Sequence, residues 1–129
     1  MADKVLAFPT SLLDKQGQPA GPGSARIRHR DIWDLAWMAG RGARLVPELV
    51  VAKIKDYGVI DYPGLLASAI IQIPEIVHST EFKSQMVRFI DSATVAKTLA
   101  IEGYTDFLAR TVAALFADMQ TALHSMPEN

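Results

Sequence analysis

Polar and apolar positions alternate with the period of an α-helix over most of this chain. From Tyr104 to Met126 the side chains of Tyr104, Phe107, Leu108, Val112, Leu115, Phe116, Met119 and Leu123 recur every three or four residues, which predicts a long amphipathic C-terminal helix. Ile32, Leu35, Ala36 and Ala39 share a face on a helix that begins at Arg28 or His29 and ends at Gly40 or Gly42. Pro47 suits the first position of the next helix, where Val46, Leu49, Val50, Ile54 and Tyr57 recur as a core stripe and Gly58 lies just past the end. Asp61 can cap a further helix from Pro63, which Pro74 is expected to break or kink. Ser79 or Thr80 opens another, with Phe82, Met86, Phe89 and Ile90 inward, and Asp91 and Ser92 start a short one to about Leu99. At the amino end, Ala2 to Phe8 reads as a short helix stopped by Pro9.

No segment alternates in the manner of a half-buried strand. The pattern therefore predicts an all-α protein, a compact bundle of about five to six helices in one domain over residues 1–129. Between the first two helices, Gly17, Pro19, Gly21, Pro22 and Gly23 crowd together, so residues 14–25 are expected to form a flexible Gly/Pro-rich loop. That loop does not bind phosphate in the P-loop manner. The Gly-Lys-Ser/Thr ending is absent, and proline removes an amide donor.

Composition narrows the function classes more than it selects one. Of 129 residues, 50% are hydrophobic and 21% charged, a globular balance, and the net charge of -1 creates no overall field toward nucleic acid or an anionic membrane. The chain has no cysteine, which excludes a disulfide scaffold, a thiolate zinc site and a cysteine nucleophile. Its three histidines show no metal-ligand spacing, so no metal site is expected from them. Neither a signal-like amino end nor an apolar run of membrane-spanning length is present, and a cytoplasmic protein without membrane contact is the expectation.

The densest chemistry lies in Arg26 to Trp37. On a helical projection Asp31 sits at the edge of the core stripe, where an isolated carboxylate is costly unless a cation meets it; Arg28, Arg30 and Lys4 are the candidates. Asp34 lies one turn from Arg30 and is placed to pair with it. On the plain reading these are a solvated helix start whose acids complement the helix dipole. On the sharper reading Lys4 and Arg30 bind phosphate and Asp31 is the catalytic acid or base. Arg26, Arg28, His29, Trp33 and Trp37 are candidate contacts for RNA or a partner, with Arg41 and Arg44 extending the basic patch.

Taken together, ADKVLAF (Ala2 to Phe8) and RHRDIWDLAWM (Arg28 to Met38), separated by a loop and followed by helices, resemble the carboxy-terminal half of the AbiEii-type nucleotidyltransferases, toxins of abortive-infection and toxin-antitoxin systems. The resemblance implies magnesium-dependent transfer of a nucleotidyl group from a nucleoside triphosphate to an acceptor such as the end of a tRNA. It gives Lys4 the triphosphate, Asp31 the attacking hydroxyl, and Asp34 a structural place. The family's Gly-Ser turn and metal-binding Asp-x-Asp are absent from this sequence. The expectation is therefore a truncated half-domain that is not an enzyme alone, binds no cofactor alone, and would need a complementing chain. The alternatives are a non-enzymatic interaction module, such as a homodimer, and an RNA-binding protein using the patch from Arg26 to Arg44.

Overall fold

The structure is a computed structural model that describes residues 1–126 other than Lys15, Pro22, Gly23 and Ala25. The described residues form seven helices: α1 (Ala2–Thr10), α2 (His29–Gly40), α3 (Pro47–Tyr57), α4 (Tyr62–Val77), α5 (Thr80–Phe89), α6 (Ser92–Lys97) and α7 (Tyr104–Ser125). The all-α bundle is as the periodicity predicts, with one helix more than the upper count, and the long last helix is present. No single helix among the described residues is long and apolar enough to cross a membrane.

Local signals set most of the boundaries. Pro47 occupies the first turn of α3, and Gly58 ends it at φ 64°, a left-handed conformation that a side chain would strain. The side chains of Asp61, Ser79 and Asp91 accept hydrogen bonds from the amides of Gly64, Phe82 and Thr94, capping α4, α5 and α6.

Pro9, expected to stop a helix, and Pro74, expected to break or kink one, both lie inside helices. Pro9 is buried within α1, and the carbonyl four residues earlier, Val5, accepts instead from the buried Tyr62 hydroxyl at 2.8 Å. A tertiary contact thus replaces the bond that proline cannot make. Pro74 is exposed and lies within α4, so its ring turns away from the core while Ile73, Ile76 and Val77 continue the buried stripe.

The buried apolar residues form one continuous cluster. Its centre is the α4–α7 pair, with Leu66, Ala69 and Ile73 from α4 and Val112, Phe116 and Met119 from α7 all inaccessible to solvent. α1 packs on α3 and α4, and its Phe8 ring reaches α7, stacking on Phe116 with centroids 5.8 Å apart.

The core stripe expected for α3 is only partly buried. Val50 is enclosed, whereas Val46, Leu49 and Tyr57 are exposed, because α3 packs mainly on α1 and turns the rest of its surface outward. Phe89, expected inside, is also exposed at the last position of α5, beneath the Arg30 guanidinium at 5.0 Å.

The expected flexible loop at 14–25 includes four residues outside those described. Around them, the Asp14 carboxylate accepts from the amides of Gln16 and Gln18, and Leu13 and Pro19 form an isolated antiparallel bridge. The described part is therefore a hydrogen-bonded turn, with Gly17 at φ 78° supplying its reversal.

Candidate functional site

The start of α2 is held against α1 by a short polar relay. The Ser11 hydroxyl, just past α1, donates to the Phe8 carbonyl at 2.6 Å and accepts from the Arg28 amide at 3.1 Å. Ile27 between these segments is buried. Residues 4 and 31 are thereby brought together across the intervening loop.

The Lys4 ammonium lies 3.2 Å from Asp31 Oδ1 and 3.2 Å from Asp34 Oδ2, bridging carboxylates one helical turn apart. Asp31 is 3% exposed and is held from a second side by Arg28, whose Nε donates to Oδ2 at 2.6 Å. Its expected desolvation and need for a cation are both present, and the cations are Lys4 and Arg28. Arg30 instead approaches Asp34 at 3.7 Å, the pair expected one turn apart.

Burial alone would lower the Lys4 pKa, but the carboxylates of Asp31 and Asp34 together outweigh it and raise the pKa above its ordinary value. Hydrogen bonding to Asp31 likewise raises Arg28, against the effect of burial. Both side chains are fully charged at neutral pH.

These five residues line an open cleft of about 460 Å³, closed on the far side by Gln85 and Phe89 of α5. Three cations face two carboxylates there, an excess of one positive charge that suits an anionic ligand. A divalent ion does not fit this arrangement, since it would reach both carboxylates only by displacing Lys4. Among the described residues no three His, Asp or Glu side chains converge as a metal cage does.

The remaining candidates separate. His29 is buried at the back of the cleft, with its ring 6.4 Å from that of Phe82, and is not an exposed contact. Arg26 is exposed and donates to the Leu13 carbonyl. Trp33 and Trp37 leave α2 on the other flank, toward α7, where Trp33 lies 6.0 Å from Tyr104. The segment from Arg26 to Trp37 therefore feeds two surfaces rather than one patch.

Sequence reasoning did not find Gln85 and Phe89 as cleft walls, nor Tyr104 and Phe107 beside the tryptophans. The only sequence signal for Phe89 was an aromatic at the end of a short amphipathic helix, and it pointed inward. Comparison with family models, curated proteins and solved structures found no match to this chain.

Proposed function

We propose that this chain is the helical half of a nucleotidyltransferase resembling the AbiEii type, active when a separate segment supplies the Gly-Ser turn and the Asp-x-Asp pair. The observation that carries this reading is the Lys4 ammonium fixed between Asp31 and Asp34 in an open, net-positive cleft. An ammonium has three N–H donors; with two directed at the aspartates, the third is the one a triphosphate oxygen takes. Arg30, largely exposed at the rim, is placed for the outer phosphates. Asp31 receives the proton of the attacking hydroxyl as the new O–P bond forms at the α-phosphorus and the bond to pyrophosphate breaks. Magnesium, in this reading, is held by the acids of the complementing segment and neutralises phosphate charge.

The experiment mixes the chain with a polypeptide bearing the Gly-Ser and Asp-x-Asp motifs, magnesium, tRNA and an α-labelled nucleoside triphosphate. Label should reach the RNA, and Lys4→Ala or Asp31→Ala should each lower the rate by about a hundredfold. Equal rates in wild type and both variants would remove these roles. So would transfer by the motif-bearing polypeptide alone at the same rate.

One observation favours a second reading, a non-enzymatic helical module that pairs with a copy of itself. Tyr57 is 70% exposed and Ile60 88% exposed, with Leu49 and Val46 also open on the α3 side. Phe116 and Met119 of the α7 stripe, by contrast, are inside, and Phe107 is half exposed toward α2. Light scattering should then give twice the chain mass, returning to a single chain in Leu49→Lys; a monomer at high concentration rejects this reading.

A further inference from the structure

Both tryptophans of the chain, Trp33 and Trp37, border one groove between α2 and α7, and the cleft described above uses neither. Its volume is about 270 Å³, room for one flat ring system rather than for an extended ligand. Ala36 and Gly40 form a floor without bulk, while Trp37 on α2 and Tyr104 and Phe107 on α7 form the walls. The rings pack into one tilted aromatic cluster, with 6.0 Å between the centroids of Trp33 and Tyr104 and 5.6 Å between those of Tyr104 and Phe107, so a flat ligand meets the outer face of the cluster rather than a slot between its rings. Trp37 is 56% exposed and Phe107 47%, so part of each ring is open to solvent. Arg41 extends over the Trp37 ring, its guanidinium carbon 4.9 Å from the centroid, and no acidic side chain lines the groove.

We infer that this groove is a stacking site for an unpaired base of a single-stranded nucleic acid. Aromatic walls accept any base through its π-face, and a guanidinium already lying on one ring is placed to meet the adjoining phosphate. An apolar peptide segment would gain nothing from Arg41 at the rim, which is the charge argument for a polyanion. The site stands on residues other than Lys4 and Asp31, so it goes beyond the transfer reading and survives or fails independently of it.

Because both tryptophans border the groove, their fluorescence reports on it directly. Titration with an oligoadenylate of about eight nucleotides at low salt should quench the emission saturably. Anisotropy of a labelled oligonucleotide should show affinity about tenfold weaker in Trp37→Leu and in Phe107→Ala, with most of it restored in Trp37→Phe. Arg41→Gln should flatten the salt dependence by about one phosphate contact. A duplex of the same length should bind more weakly, its bases being already stacked. The inference is overturned if the oligonucleotide leaves the emission unchanged, if Trp37→Leu and Trp37→Phe bind alike, or if duplex and single strand bind equally. Thermal melting of each variant checks folding, and since Trp37 and Phe107 are half outside the core, intact melting is expected.

Discussion

At the scale of single residues, the most informative arrangement is the Val5 carbonyl, which Pro9 deprives of its helical partner and which Tyr62 then satisfies at 2.8 Å. Tyr62→Phe leaves that carbonyl buried without a donor, and we expect a loss of about 1–3 kcal/mol in urea denaturation. Pro9→Ala restores an amide at the right place, so the same Tyr62→Phe change should cost markedly less in that background, a coupling that a double-mutant cycle reads directly. Burial also raises the Tyr62 hydroxyl pKa far above its ordinary value of 10.0. With the folded pKa above the unfolded one, the phenol's contribution is complete below pH 10.0 and is lost as the solution becomes more alkaline. No reading of the sequence shows this group, since Pro9 and Tyr62 are far apart in the chain and the proline alone signals a stop.

At the scale of elements, the ion cluster joins α1 to α2, and its parts are unequal. Removing Asp31 leaves Lys4 and Arg28, both of which reach water, whereas removing the two cations strands a carboxylate that is 4% exposed. Asp31→Ala should therefore cost little stability, and the double change Lys4→Ala with Arg28→Ala about 3–5 kcal/mol, measured by chemical denaturation. Lys4, raised above 10.5 in the fold, gives its full contribution below that pH and loses it as pH climbs through the folded value. Lys4→Met should thus remove part of the alkaline loss of stability and leave the Tyr62 part. Most of this scale was legible: the caps at Asp61, Ser79 and Asp91 act locally, and the cost of burying Asp31 pointed to a cation from Arg28, Arg30 or Lys4, of which Arg28 and Lys4 meet it. The α2–α7 groove was not, because Trp33 meets Tyr104 through tertiary packing that no local period encodes.

At the scale of the whole molecule, stability is concentrated where α4 and α7 meet. Phe116, inaccessible and stacked on Phe8, should cost about 3–5 kcal/mol when replaced by alanine, while Leu49→Lys on the open face of α3 should stay within about 0.5 kcal/mol, both followed by thermal melting. The apolar period of α3 misled for a related reason: periodicity identifies a face able to be buried, and only the neighbours decide whether it is. The Phe8–Phe116 stack has one more consequence. The Phe8 ring finds its aromatic partner only with α7 in place, whereas the rest of α1 is seated on α3 and α4. Loosening of α7 alone would therefore free the Phe8 ring while the helix that carries it keeps its seat.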